Sequence, residues 1–539
     1  MTVMSTLMAR QFGLPPAETT DVRVQRDLRV PMPDGVDLLA DRYSPRGRDR
    51  APLVLARSPY GRRGVWGMLF GRLLAERGFQ AVVQSCRGTF GSGGTFDPFG
   101  DERADGLATV AWLRGQDFYP GSFATAGPSY LGFTQWAIAG VAGAEHRGMA
   151  TQVTTAALHH MIYAGGSMSW ATMTAWMQDM ERQQGSFSLL RRIGGRKRLG
   201  RALRTLPLTE ADRVASGHRV EYFQQWLAHP GIDDAYWQPR QFADGVAAVD
   251  TPVSMVGGWH DFMLPWQLRD YAAMRDAGNP PQLTIGPWQH ADEHSIRGWM
   301  ADLFPFLGAV LTGSERRAAP VRIFVTGAEE WREDAQWPPA GASALWYLHP
   351  GGLLATAPPV ESEPDRHPYD PADPTPSVGG PVEPAARPRV DNRELEARAD
   401  VLVYTSELLG EPLEVIGVPS VELFVTSTAA DVDVFARICD VAPDGTSINI
   451  SDALCRVRPG HEGPVGFELW PVAHRFAAGH RLRLQVSGGA FPRYPRNLPG
   501  TTGSGESSGF AASERQIHHD PARPSVLRLP IPDGGSELG

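Results

Sequence analysis

The sequence predicts an α/β fold, a parallel sheet covered by helices on both faces, interrupted by a helical insertion and followed by a β domain. Three observations carry this. Apolar runs of strand length alternate with helical segments over 52–154 and again over 251–286. The stretch between them shows helical spacing and no strand signal, and from about residue 318 short strands divided by Pro/Gly turns take over. Strands that alternate with helices pair in parallel, and a parallel sheet needs cover on both faces.

Taken in order, VRVQRDLRVPM alternates in period two, and VDLLADRY follows a Pro33-Asp34-Gly35 turn, the pattern of a β-hairpin. PLVLARS (52–58) is a buried strand, Val65 to Arg77 an amphipathic helix, FQAVVQ (79–84) a strand, Glu102 to Arg114 a helix and SFATAG (122–127) a strand. A helix from Tyr130 and the strand-like GMATQVT (148–154) complete the first part of the core, 1–154. Residues 155–240 are rich in Met, Trp, Gln and Arg, and form a helical cap over the C-terminal edge of the sheet, where such folds bind ligands. TPVSMVGG (251–258), a helix Trp266 to Ala277 and PQLTIG (281–286) make the second part of the core, 241–315. The remainder, 316–539, carries VRIFVTG, SALWYLHP, DVLVYTS, SVELFVTS, VDVFARICDV, HRLRLQVSG and SVLRLPI, a β-sandwich of jelly-roll type with the Pro-rich stretch 357–389 as an internal loop. No internal repeat is evident.

At 539 residues the chain exceeds one hydrophobic core and calls for about two to four units. With 42% apolar and 21% charged residues it has the composition of a globular protein. A net charge of −9 without a long Lys/Arg block argues against a nucleic-acid partner, and no apolar run reaches the roughly 18 residues a bilayer demands, so no membrane partner is expected. The N-terminal segment lacks a secretory pattern, and Cys86, Cys439 and Cys455 form no C-x-x-C; buried reduced thiols in a cytoplasmic protein are the expectation. The pattern is compatible with a homo-oligomer and does not specify one.

Ser129 stands between the strand-like Phe123–Ala126 and the helix from Tyr130, with Gly127 two positions earlier. A strand that turns sharply into a helix at a serine is a nucleophile elbow: the hydroxyl projects from the sheet edge and the helix N-terminus offers N–H groups to an oxyanion. The second glycine of G-x-S-x-G belongs at 131, but Leu131 is there and Gly132 follows. Gly-x-Ser also opens ordinary helices, where serine is a cap.

Such a serine needs a base, and the base an orienting acid, in the α/β-hydrolase chain order Ser, Asp/Glu, His. Asp261 follows SMVGGWH and His290 follows LTIGPWQ, each a few residues beyond a strand. Asp261 is also placed to cap a helix near Met263, and His260 and His294 compete for the role of base. No H-E-x-x-H is present, Gly91-Ser92-Gly93-Gly94 lacks the spacing of a dinucleotide loop, and Asp431 and Asp433 fall in a strand pattern as solvent-facing residues; neither cofactor nor metal is implied.

PYG (59–61), CRGTFGSGGTF (86–96), GPSYLGFTQW (127–136), GGWHDF (257–262), GPWQH (286–290) and VRIFVTGAEEWR (321–332) resemble the cocaine esterase and X-prolyl dipeptidyl-peptidase group of serine hydrolases, the CocE/NonD hydrolases. The resemblance runs nearly the whole chain, through HRLRLQVSGGAFPRYPRN (480–497). It implies Ser129 as nucleophile, His290 as general base, Asp261 as its acid and Tyr60 in the oxyanion hole. Pro59 has no N–H to give, so the Tyr60 hydroxyl and the Tyr130 N–H would be the two donors. Two departures stand out. Family members often carry Asp two residues before the Arg of the R-G motif, where this chain has Ser85. Phe262, Met263 and Leu264 occupy the positions where α-amino-acid ester hydrolases place acidic residues, which argues against an α-ammonium group as a main recognition element.

The expectation is therefore a serine hydrolase that cleaves a carboxylic ester of a small-molecule acyl substrate through an acyl-enzyme. Trp259, Phe262 and the cap residues Trp170 and Trp176 are candidate substrate-binding residues favouring an uncharged, aromatic or alicyclic acyl group; helix packing is an equal reading for the two cap tryptophans. An amide hydrolase, an acyltransferase or cyclase using the same three residues, and a non-enzymatic carbohydrate-binding scaffold are the alternatives.

Overall fold

Alternate residues of the strand Leu53–Ser58 face opposite ways: Val54 and Ala56 join a cluster with Leu69, Leu73, Leu303 and Phe304, while Leu53 and Leu55 join Val82, Val110 and Leu113. This is what a parallel strand covered on both faces requires. The computed structural model describes residues 2–183, 194–381, 387–498 and 509–533. The part of the cap at 184–193 and of the Pro-rich stretch at 382–386 lies outside them. Two compact units result: 1–158 with 235–322, and 159–234 with 323–539.

The first unit is an α/β-hydrolase core. Its strands are β1 (Val22–Pro31), β2 (Asp37–Pro45), β3 (Leu53–Ser58), β4 (Gln80–Ser85), β5 (Phe123–Pro128), β6 (His146–Gln152), β7 (Val253–His260) and β8 (Gln282–Gln289), in the spatial order β1-β2-β4-β3-β5-β6-β7-β8. β2 runs antiparallel to β1 and β4, and all pairs from β4 to β8 are parallel. Helices Glu102–Arg114 and Leu264–Asp276 stand close to where periodicity put them, whereas the predicted helix 65–77 is Gly64–Ala75, widened in its middle by a π-type turn at Met68–Arg72. Two further helices, Val3–Gln11 and Glu293–Thr312, are not read in the sequence. Pro305 inside the second one interrupts the pattern that would signal a 20-residue helix.

The second unit joins the helical insertion to the C-terminal β domain. Helices Trp170–Gln183 and Glu221–Ala228 meet through Trp176, Tyr222 and Trp226, and Gly195–Ala202 and Ala211–Ser216 pack on each other and on Trp170–Gln183. The β domain is almost wholly antiparallel, with Val432–Val441 paired to Ser447–Val457 on one side and Arg481–Ser487 on the other. Asp433 corrects one expectation: it is buried rather than solvent-facing, and holds Arg456 through two hydrogen bonds of 2.8 Å.

Candidate active site

Ser129 joins β5 to the helix Tyr130–Ile138 with φ 54° and ψ −123°, a conformation an L-residue keeps only when its surroundings over-determine it. They do so here. Its N–H donates to the Gln152 carbonyl at the end of β6 (2.9 Å), and its own carbonyl accepts the N–H groups of Gly132 (2.9 Å) and Phe133 (3.0 Å) and the Thr154 hydroxyl (2.8 Å). The shifted glycine has a spatial reason. At Gly127 (φ 148°) a Cβ would run into the Leu131 side chain, whose Cδ2 lies 2.9 Å away, and at Gly132 it would come within 2.5 Å of Thr154 Cβ. Leu131 therefore lies over one glycine, and the other makes room for Thr154.

His290, one residue past β8, has Nε2 at 2.9 Å from Ser129 Oγ and Nδ1 at 2.7 Å from Asp261 Oδ2. Asp261 has no solvent exposure, and its second oxygen accepts the Met263 N–H at 2.6 Å. One oxygen of Asp261 thus turns to the histidine and the other to Met263, the residue before the helix Leu264–Asp276, which itself has no side-chain cap. With its carboxylate on Nδ1, the neutral imidazole keeps its proton there and presents the Nε2 lone pair to the serine hydroxyl. His290 itself is pinned by its neighbours, since the Gln289 N–H donates to Asp292, the N-cap of helix Glu293–Thr312. Phe262 packs its ring 4.4 Å from the imidazole. His290, not His260 or His294, is the imidazole bonded to both Ser129 and Asp261.

Tyr60 stacks on Trp66 at 5.5 Å and meets Tyr130 edge-on, while its backbone N–H donates to Ser58 Oγ at 3.1 Å. Pro59 has no N–H, and that of Tyr60 is engaged by Ser58. Tyr130 is the reverse case. Its hydroxyl donates to Glu102 Oε1 (2.9 Å) and accepts the Phe99 N–H (2.8 Å), and its ring stacks on Phe99. Burial, reinforced by the Glu102 carboxylate, pushes this phenol well above the usual tyrosine range, so it stays neutral. Its side chain is an anchor, and its backbone N–H lies in the first turn of the helix Tyr130–Ile138.

Glu102 in turn pairs with buried Arg57 (2.8 Å), which donates to Gln84 (2.8 Å) and to the Glu102 carbonyl (2.8 Å). Sequence reading missed this support. Its signal was present: an arginine inside the otherwise apolar strand PLVLARS must find a buried partner. Where Ser85 departs from the family pattern, Arg87 is held instead by Asp105 through bonds of 2.6 and 3.1 Å, and by Asp34 at 2.6 Å.

Trp259, at the end of β7, is largely buried. Trp170 corrects an expectation. It has no exposed surface and its indole N–H donates to the Leu203 carbonyl at 3.0 Å, so it serves helix packing and lines no open pocket. Trp176 is half-buried against Tyr222 and Trp226. Among the described residues no group of three or more His, Cys, Asp or Glu is arranged to hold a metal, and no helix is long and apolar enough to cross a membrane.

Residues 34–292 match the family model described as X-Pro dipeptidyl-peptidase (S15 family), and 313–528 match the X-Pro dipeptidyl-peptidase C-terminal non-catalytic domain. Cocaine esterase of Rhodococcus sp. (strain MB1 Bresler) is 30% identical over 94% of this chain and 98% of its own length. An α-amino acid ester hydrolase superposes with TM-score 0.79 at 22% identity, covering 96% of this chain and 98% of that one. A CocE/NonD family hydrolase from Staphylococcus aureus gives 0.72 at 16% identity over 95% and 94% of the two chains. Sequence and fold together place this chain in the cocaine esterase and X-Pro dipeptidyl-peptidase family of serine hydrolases.

Proposed function

We propose that Ser129 cleaves carboxylic esters through an acyl-enzyme. The observation that carries this is the unbroken chain Ser129 Oγ, His290, Asp261, with spacings of 2.9 and 2.7 Å. As Ser129 Oγ attacks the carbonyl, its proton passes to His290 Nε2, and buried Asp261 stabilises the imidazolium. The Tyr60 hydroxyl and the Tyr130 N–H take the oxyanion; collapse expels the alcohol, which leaves with the proton from His290. Water then repeats the sequence on the acyl-enzyme and releases the acid.

Phe262 against His290 and the apolar run Phe262-Met263-Leu264 favour a small-molecule substrate with an uncharged, aromatic or alicyclic acyl group. A cytoplasmic location is supported by three free cysteines, of which buried Cys439 has its thiol pushed up to about 12.

A panel of acyl esters and matched anilides on wild type and Ser129→Ala tests the reading. Wild type is expected to turn over aromatic esters well ahead of their anilides, and the Ala variant to lose both turnover and labelling by a fluorophosphonate. Activity retained in Ser129→Ala would remove the assignment. Anilide rates equal to ester rates would make the protein an acylase or peptidase.

A further inference from the structure

A cavity of about 600 Å³ lies wholly within the second unit, and none of its lining residues belongs to the Ser129–His290–Asp261 chain. That volume lies in the range of small-molecule sites. On one side the helical insertion contributes Met168, Leu208, Leu227 and Ile232, and on the other the β domain contributes Arg456, Arg458 and Arg496.

The three arginines differ in what they have left to offer. Arg456 is neutralised by Asp433. Arg458 is exposed and makes no ion pair among the described residues. Arg496 lies 4.2 Å over the Phe491 ring and reaches the Arg204 carbonyl only at 3.5 Å; its Nε is buried without a hydrogen-bond partner among the described residues. Burial above all, with the nearby Arg204 cation, pushes the Arg496 guanidinium down, the opposite of what a carboxylate neighbour does. Two of the neutral polar groups are committed elsewhere: the Tyr163 hydroxyl donates to the Trp226 carbonyl (2.8 Å), and His159 Nε2 meets the Pro230 carbonyl (2.9 Å). What the cavity offers a ligand is therefore an apolar lining together with two guanidiniums that have no carboxylate partner among the described residues.

We infer that this cavity binds an amphipathic monocarboxylate, a ring or short hydrocarbon body against Leu208, Leu227 and Ile232 with its carboxylate on Arg458 and Arg496. Guanidinium suits a carboxylate through paired N–H donors, and Arg496 holds no closer acceptor than the Arg204 carbonyl at 3.5 Å among the described residues. The acid released by ester hydrolysis belongs to the same chemical class, a link that alone rests on the proposed function.

Calorimetric titration of the full-length Ser129→Ala protein with 4-phenylbutyrate, its amide and phenyl phosphate tests the site. The carboxylate is expected to bind about tenfold or more tightly than the amide, and Arg458→Ala, Arg496→Ala and Ile232→Asp, each added to Ser129→Ala, to weaken it about tenfold, while Arg496→Lys recovers part of the loss. Thermal melts of each variant identify any that fail to fold, and the Lys variant then decides. Binding that survives the Arg458→Ala, Arg496→Ala pair, or equal affinity for the amide, would overturn the inference; a preference for phenyl phosphate would replace carboxylate by phosphate. Because binding is read without turnover, it stands or falls separately from the ester reaction.

Discussion

At the scale of single residues the two tyrosines divide one task in opposite ways. Tyr60 commits its backbone N–H to Ser58, whereas Tyr130 commits its phenol to Glu102 and Phe99, so the oxyanion role proposed for them falls to the phenol of Tyr60 and to the backbone N–H of Tyr130. Tyr60→Phe is accordingly expected to lower kcat about 100- to 1,000-fold in steady-state assays, with Ser129 still in place, because one oxyanion donor is removed. A loss of only a few-fold would take Tyr60 out of the oxyanion hole. Tyr130→Phe should be felt in stability: it strands a buried carboxylate oxygen and the Phe99 N–H at a cost of about 1–3 kcal/mol, measured by denaturant unfolding. Glu102→Gln uncovers the buried Arg57 cation and should cost more, about 3–5 kcal/mol.

Among elements, the helix Leu264–Asp276 ties the core to the start of the insertion. Its Asp270 is buried and accepts the Ala156 N–H at 2.8 Å. Burial drives the carboxyl up to about 7, although the Ala156 N–H and the Thr155 hydroxyl work against the rise. A carboxyl raised above its ordinary range binds a proton in the native state that the unfolded chain has lost. Its stabilising contribution is thus full below pH 4 and declines as pH rises to 7. Asp270→Asn removes this titration. Between pH 4 and 7 wild type should lose about 1 kcal/mol per pH unit relative to the variant, and above that window the difference should be flat, as read from urea unfolding at a series of pH values. Parallel pH profiles would show that Asp270 is ionised throughout.

Over the whole molecule, each unit is built around buried charge that has found partners far along the chain. In the first, Asp41 receives Arg26, Arg62 and Arg63; in the second, Asp452 receives Arg437 (2.8 Å) and Arg493. Burial alone would raise the Asp452 carboxyl, but Arg493 and Arg437 overcome it and hold the group below its usual range. Asp452→Asn leaves two buried cations uncompensated, and a loss of about 3–5 kcal/mol is expected, seen as a lowered transition in scanning calorimetry. A chain of two compact units need not unfold in one step, so the shift belongs to the transition that Asp452 controls. An unchanged transition would mean that the arginines find other acceptors.

The sequence by itself determined most of the strand and helix pattern of the core and named Ser129, Asp261 and His290 as candidates, with His260 and His294 still competing for the base, because periodicity, elbow spacing and chain order are local properties that survive without coordinates. Helix Glu293–Thr312, with Pro305 inside it, and strand Asp365–Tyr369, within a Pro-rich stretch, escaped for the same reason: their local signal contradicts their state. Only the tertiary structure decided which buried charges pair, Arg57 with Glu102 and Arg456 with Asp433, since that choice depends on which groups lose water together rather than on spacing. It also decided that Gly132 must be small for Thr154, that Trp170 is packing rather than pocket wall, and that the helical insertion clusters with the β domain. Each is a matter of volume shared between segments distant in the chain, which no local pattern records.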